Sequence, residues 1–291
     1  MSEPLGFIGV GAMGSGMAHR LIEAGFDVAV CDPDAAATAP LAAAGAKVAP
    51  NPRSVADAAT IVFACLPSPP VSEAVAAEVA GGGRTQVYVE TSTVGTDTMA
   101  AVGAALAAKG IAVLDAPISG GPKAAADGIL STIVSGAEAD FARARPAIDA
   151  FASHVFFLGG EPGQAQIAKL INNMMSMAGR AAAIEGVIMG MRVGIDPMTL
   201  ASFINVSTGR NLATLDDFPT RLLHVFETGG KKSIGVKDLE LYLRETERLD
   251  MPVWATPRVL DLFIEGQAYD AKPAESLSPW VEHLKRLRDG K

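Results

Sequence analysis

One stretch limits what this chain can fold into more than any other. From Gly163 to Gly194 the sequence GQAQIAKLINNMMSMAGRAAAIEGVIMGMRVG runs without a proline. Its apolar residues return at steps of three and four, from Ile167, Leu170, Ile171, Met174, Met175, Met177 and Ala178 to Ile184, Val187, Ile188 and Met191. That is helical periodicity. Some thirty residues at about 1.5 Å each make a rod of roughly 45 Å, longer than a small domain is wide. Lys169, Arg180, Glu185 and Arg192 interrupt the apolar run, so its longest uncharged piece is too short to cross a bilayer. The rod is therefore expected to join two globular halves, with its methionines packed in their cores. Lys169 and Asn173 stand four residues apart and share a face, which puts an ammonium and an amide together at the boundary.

The two halves differ in kind. LGFIGV (5–10) is a short apolar run, GVGAMG turns at once, MAHRLIEAG is an amphipathic helix closed by Gly25, and DVAVCD is a second strand. The glycines fall at Gly9, Gly11 and Gly14, with Ala12 and Met13 inside the turn and Asp32 about twenty positions on, at the end of the next strand. Glycines at this spacing let the backbone turn tightly and approach a pyrophosphate, which rests on the free N–H groups of the helix start. Asp32 would accept hydrogen bonds from the adenosine ribose hydroxyls. A carboxylate there repels a 2′-phosphate, and DPDAAATA contains no arginine to hold one, so NAD is expected rather than NADP.

The alternation continues with a helix over Asp34–Ala44, a strand near Lys47–Ala49, and the buried strand TIVFACLP (60–67). The segment Pro67-Ser68-Pro69-Pro70 reads as a loop continuing neither sheet nor helix, and Leu66 and Pro67 fall where a ribose would lie. TQVYVE (85–90) is a strand with Ser92 and Thr93 at its end, where hydroxyls would meet the nicotinamide or cap the next helix, followed by a helix through Ala108. IAVLDAPISGGP (111–122) runs into a glycine pair, and Ser119, Gly120 and Gly121 offer a concave set of backbone N–H groups suited to a carboxylate. ILSTIVSG (129–136), a helix over Glu138–Phe151 and VFFLG (155–159) complete the sheet. Beyond Gly160 the pattern is helical only, with helices expected near Pro197–Val206, Thr214–Phe226, Val236–Leu249, Val253–Glu265 and Pro279–Arg288. The expected architecture is an α/β Rossmann-type domain over 1–162, an interdomain helix over 163–193 and an all-α domain over 194–291.

Composition narrows the function classes. A net charge of -8 and a pI near 5.1 argue against a nucleic-acid or anionic-membrane partner, so any anion site must be built locally. Cys31 and Cys65 lie in apolar runs, and neither they nor the four histidines show metal spacing. No metal is expected. The N-terminus lacks a basic segment ahead of its apolar residues and reads as a first strand rather than a signal peptide, which points to a cytoplasmic protein.

Five segments in order, FIGVGAMGSGMA (7–18), ETSTVG (90–95), DAPISGGPKAAADGIL (115–130), GQAQIAKLINN (163–173) and GVKDLELYLRE (235–245), resemble the β-hydroxyacid dehydrogenase family, that of 3-hydroxyisobutyrate dehydrogenase. The resemblance spans essentially the whole chain. It implies a Rossmann-type domain, a long interdomain helix and a helical domain that assists oligomerisation; the Ala/Met-rich rod, too long for one core, points to a homodimer or homotetramer. It makes Lys169 the catalytic acid/base and Asn173 its partner in positioning the substrate. It sets Ser119, Gly120 and Gly121 around the substrate carboxylate, Thr93 by the nicotinamide and Lys237 by the cofactor. Arg210 and Asn211, in VSTGRN (206–211), fall in the family's substrate-selecting loop. Asp238, beside Lys237, reads as a helix-terminal charge.

Oxidising an alcohol with NAD requires a proton to leave oxygen as a hydride leaves carbon, and an amine in an apolar setting can accept it near neutral pH. The expected activity is oxidation of a small β-hydroxy acid to its semialdehyde or keto acid. Two alternatives stand beside it: an NADPH-dependent semialdehyde or imine reductase of the same fold, and a non-catalytic NAD sensor. Asp32 weighs against NADPH, Lys169 against the imine version, and the Lys169–Asn173 pair with the carboxylate nest against the sensor.

Overall fold

The computed structural model describes residues 3–215 and 234–271. Its first half alternates strand and helix: β1 (Leu5–Ile8), α1 (Gly14–Glu23), β2 (Val28–Cys31), α2 (Ala35–Ala43), β3 (Lys47–Val48), α3 (Pro52–Ala58), β4 (Ile61–Ala64), α4 (Pro69–Val79), β5 (Val87–Glu90), α5 (Thr96–Ala107) and β6 (Ala112–Asp115). Then come β7 (Ile118–Ser119), α6 (Gly121–Asp127), β8 (Leu130–Ser135), α7 (Glu138–Phe151) and β9 (Ala152–Gly159). The strands form one sheet in the order β3-β2-β1-β4-β5-β6-β8-β7, with β9 paired to β8. From β3 to β6 every pairing is parallel, and β8 enters antiparallel to β6. The order reverses between β1 and β4, and in such sheets the crevice at the carboxyl ends of the strands beside that reversal is the ligand site.

The central strands β1, β2, β4 and β5 are buried on both faces, which is why they read as continuous apolar runs rather than alternating ones. Successive residues still point to opposite sides. Phe7, Phe63 and Val89 meet Met17 and Leu21 of α1 and Ile148 and Phe151 of α7 in one core. Ile8, Val62 and Tyr88 meet Val55 of α3, Val75 and Val79 of α4 and Leu106 of α5 in the other.

Two helices correct the sequence reading. Pro69 and Pro70 open α4 at its first positions, where a proline loses nothing because its missing N–H would have no partner there. The glycine pair Gly120-Gly121 likewise leads straight into α6.

α8 runs unbroken from Gln164 to Arg192, as the periodicity requires. The chain divides into two compact units, one ending at Lys169 and the other beginning at Leu170, so the division falls inside α8. In the second unit α9 (Pro197–Asn205), α10 (Leu212–Leu215) and helices over Ile234–Arg248 and Thr256–Ala271 follow, and no strand occurs among the described residues. Met177 of α8 packs with Val236, Leu239, Val259 and Phe263 of the last two helices, and Ile184 and Val187 pack with Ala213. Met175 and Met189, expected in a core, are 64% and 73% exposed. The helix expected over Thr214–Phe226 lies outside the described residues from position 216, and that over Pro279–Arg288 lies wholly outside them. No described helix is long and apolar enough to cross a membrane.

Candidate active site

The glycine turn joins β1 to α1 at the strand-order reversal. Gly9 has φ +85°, a left-handed conformation that favours glycine, and a side chain there would strike the Cys65 carbonyl of the neighbouring strand end. A side chain at Gly14 would collide with the Gly9 carbonyl. Both are thus explained by packing within the protein. Gly11 is different, because nothing lies within 4 Å of where its Cβ would be. Its bareness leaves room above the turn, and Met13, the N-cap residue of α1, supplies no side-chain cap. Open space over an uncapped helix start fits the pyrophosphate of a dinucleotide. Ala12 is exposed and Met13 half-buried in the same turn.

Asp32 follows β2. One carboxylate oxygen accepts the Val10 N–H at 2.8 Å and the other the Asp34 N–H at 2.9 Å. The acidic side chain therefore ties the end of β2 to the glycine turn. Leu66 and Pro67 follow β4 in the same crevice, half-buried and exposed respectively.

At the end of β5, Glu90 has no solvent exposure. It accepts hydrogen bonds from the Ser92 N–H at 3.0 Å, from the Ser92 hydroxyl and from the Tyr88 hydroxyl at 3.3 Å. The Ser92 hydroxyl in turn accepts the Leu66 N–H at 2.7 Å. Glu90 thereby laces β4 to β5 at the crevice, and Ser92 is committed to that task. Desolvation pushes the Glu90 carboxyl up to about 7, with the Ser92 hydrogen bonds opposing. Thr93, next along, is half-buried.

The start of α8 is held from a distance. Its flanking residue is Gly163, which has no side chain to cap it, and the carboxylate of Asp115 at the end of β6 does the work. Asp115 accepts the N–H of Gly163 at 2.9 Å and of Gln166 at 3.0 Å, while the Ser135 hydroxyl accepts the N–H of Ala165 at 3.1 Å. Orphan donors of a first helical turn are normally satisfied by a local side chain. Here two strands supply the cap, and an anion at the head of a long helix also meets its dipole favourably. Desolvation raises the Asp115 carboxyl to about 6, against the hydrogen bond from Gln166 and those that follow it. The Gln166 side chain is itself fully buried and fully used. Its oxygen accepts the N–H groups of Val94 at 2.8 Å and Gly95 at 3.0 Å. Its nitrogen donates to the Ser92 carbonyl at 3.0 Å and to Asp115 at 2.6 Å. Lys169, one turn further on, is only 9% exposed. Ser119 ends β7, half-buried, and Gly120 and Gly121 take φ +137° and +79°. No atom lies within 4 Å of where a Gly121 side chain would begin.

The first unit thus brings Gly9, Gly11, Gly14, Asp32, Leu66, Pro67, Thr93, Ser119, Gly120, Gly121 and Lys169 onto a single sheet and the head of α8. The remaining expected residues belong to the second unit. There Asn173 donates to Asp238 at 2.6 Å, and Asp238 forms an ion pair with Lys237 at 3.2 Å. Asp238 is 3% exposed, a buried anchor for Asn173 rather than a helix-terminal surface charge. Arg210 is exposed, and the Asn211 side chain caps α10 by accepting the N–H groups of Ala213 and Thr214. No group of three or more His, Cys, Asp or Glu suited to a metal occurs among the described residues.

Sequence reasoning passed over Glu90, Asp115 and Gln166. The available signal was an acidic residue closing an otherwise apolar strand (VYVE, AVLD), since a charge is costly in a buried strand unless something there needs it.

The fold and this arrangement define a nicotinamide-dinucleotide oxidoreductase. Residues 4–160 match the family model of the NAD-binding domain of 6-phosphogluconate dehydrogenase, and residues 163–278 that described as NAD-binding of NADP-dependent 3-hydroxyisobutyrate dehydrogenase. The chain is 30% identical to 2-(hydroxymethyl)glutarate dehydrogenase of Eubacterium barkeri, over 92% of this chain and 90% of that protein. It is 35% identical to 3-hydroxyisobutyrate dehydrogenase of Pseudomonas aeruginosa, over 72% and 71%. Among solved structures, 3-hydroxyisobutyrate dehydrogenase of Mycobacterium tuberculosis with L-serine superposes with a TM-score of 0.84 at 26% identity, covering 99% of this chain and 100% of that one. The chain belongs to the β-hydroxyacid dehydrogenase family, whose members act on CH–OH groups.

Proposed function

We propose that this protein is an NAD-dependent dehydrogenase that oxidises a small β-hydroxy acid of the 3-hydroxyisobutyrate kind, with Lys169 as general acid/base. The observation that carries the reading is the burial of Lys169 at 9% exposure, on a helix whose first turn is hydrogen-bonded to the strand ends of a dinucleotide crevice. A long aliphatic amine is seldom buried without a task. In the oxidative direction its free amine takes the hydroxyl proton, and in reverse the ammonium returns it to the carbonyl oxygen. Bound NAD supplies the hydride acceptor. Ser119, Gly120 and Gly121 cradle the substrate carboxylate, supported by two successive glycines at positive φ with open space beside the second. Thr93 borders the nicotinamide. Asn173, one turn beyond Lys169 on the same helix, orients the substrate hydroxyl. NAD is favoured over NADP because Asp32 and the following Pro33 and Asp34 offer a 2′-phosphate no cation.

The test is initial rates of NAD reduction at pH 8–9 across 3-hydroxyisobutyrate, 3-hydroxypropionate, L-serine, L-threonate and 2-(hydroxymethyl)glutarate. NADP is run in parallel, with Lys169→Ala as control. Turnover of one or two acids with NAD, lost in the variant, is the expected result. No turnover with any of them would overturn the reading. We further propose a homodimer or homotetramer, in keeping with the exposed Met189, Val193 and Phe203 of the helical unit, to be checked by light scattering. The free thiols of Cys31 and Cys65 suit a reducing, cytoplasmic setting.

A further inference from the structure

We propose that Gln166 is the positioning residue that fixes Lys169 relative to the cofactor-facing segment at Thr93, with Asp115 as its partner; this rests on the role of Lys169 given above. The argument is the distribution of the four hydrogen bonds of one amide. Three of them end on the backbone around Thr93: the Ser92 carbonyl before it and the Val94 and Gly95 N–H groups after it. The fourth ends on Asp115, the carboxylate that also caps the turn of α8 from which Lys169 follows. The side chains of Gln166 and Lys169 are three residues apart and neighbours on the helix. A single side chain therefore ties the segment carrying Thr93 to the turn preceding Lys169, and its amide is fully engaged with protein groups.

Only an amide meets these requirements. Two donors and two acceptor lone pairs are all engaged, one donor against a carbonyl and the other against a carboxylate. Glutamate in its place would set an acceptor against both, and methionine would fill the volume while satisfying none of the four. If the role were merely to fill a polar gap in the fold, losing it would cost stability and leave the chemistry of the folded enzyme unchanged. If it sets the separation of Lys169 from the cofactor-facing segment, a displacement of about 1 Å costs on the order of 10²-fold in the chemical step.

The test compares Gln166→Glu, Gln166→Met, Asp115→Asn and the paired swap Asp115→Asn with Gln166→Glu, using the acid the wild type oxidises. The swap reverses donor and acceptor across the 2.6 Å contact, so it restores that bond and leaves the Val94 and Gly95 bonds available, while the bond to the Ser92 carbonyl alone stays lost. The expected result is that each single variant loses about 10²-fold in kcat. NAD affinity, read by fluorescence titration, and KM should stay within about threefold of wild type, and the swap should recover at least about tenfold in kcat over Gln166→Glu. Where a single variant does not fold, the swap decides. A folded, NAD-binding swap with kcat within about tenfold of wild type supports the proposal, and a swap that is inactive or unfolded overturns it. Single variants that keep wild-type kcat also overturn it. Should Lys169→Ala itself retain turnover, the acid/base reading has failed and this inference falls with it. Loss in Lys169→Ala with full activity in the Gln166 variants removes this inference alone.

Discussion

Glu90→Gln is expected to make the protein more stable at pH 8 and to flatten its dependence on pH. Glu90 is wholly buried, and desolvation moves its carboxyl from 4.5 to about 7. Its proton is therefore held more tightly in the folded chain than in the unfolded one. Below pH 4.5 both states are neutral and the group contributes nothing to pH dependence. Between 4.5 and about 7 the unfolded chain releases its proton while the folded chain keeps it, so stability falls as pH rises. Above about 7 the full penalty is present, about 3 kcal/mol from the separation of the two pKa values. Glutamine never ionises. Its oxygen can keep both Ser92 hydrogen bonds, and its nitrogen can donate to the Tyr88 oxygen or to the buried Ser72 hydroxyl, which lacks a hydrogen bond of good geometry. Asp115, raised from 3.8 to about 6 by desolvation, is common to both proteins and cancels in the comparison. Urea unfolding of wild type and variant at pH 5 and pH 8 should show the wild type losing about 2.5 kcal/mol relative to the variant over that interval, since part of the penalty is already present at pH 5. Thermal unfolding of the first unit should show a relative shift of roughly 5–10 °C. Parallel pH profiles, or a variant less stable than wild type at pH 8, would refute the burial argument.

Three further outcomes follow from the site. Lys169→Ala should lower kcat by about 10²–10⁴-fold while NAD binding, measured by calorimetry, stays within about threefold. Gly11→Ala and Gly14→Ala should separate ligand room from packing. The first should keep the wild-type melting temperature but weaken NAD by about tenfold or more, and the second should cost about 1–3 kcal/mol of stability through its collision with the Gly9 carbonyl. Asp32→Asn combined with Pro33→Arg should move the ratio of kcat/KM for NAD over NADP by at least about tenfold toward NADP. An unchanged ratio would remove Asp32 from cofactor choice.

What the sequence disclosed and what it hid divide along the range over which the responsible forces act. Gly9, Gly11 and Gly14 with Asp32, the period of α8 and the buried runs of β1, β4 and β5 are legible because each depends on neighbours within a few residues. The prolines at 69 and 70 read as a loop because a proline's effect depends on position: the same residue that ends a helix is welcome at its first turn. The deeper gap concerns how α8 begins. A local reading looks for Ser, Thr, Asp or Asn at the helix boundary and finds Gly163, yet the cap is Asp115, 48 residues earlier. Nothing in a window around Gly163 could reveal this, because parallel strands bring their ends together only after their crossovers are made. The trace that did survive in the sequence was the misplaced charge. Glu90 and Asp115 each close an apolar strand at the edge of the crevice, and each is raised by burial that its hydrogen bonds only partly offset. A fold keeps such groups, at a cost in stability, where a precise backbone position is worth more than the stability lost. The two carboxylates fix different things: Glu90 sets β4 against β5 through Ser92 and Leu66, and Asp115 sets β6 against the head of α8 through Gln166. Gln166 reaches from the second arrangement into the first through the Ser92 carbonyl. The cofactor side of the crevice and the turn that precedes Lys169 are in this way held by one continuous set of hydrogen bonds, whose members are neighbours in sequence only around Ser92 and at the start of α8.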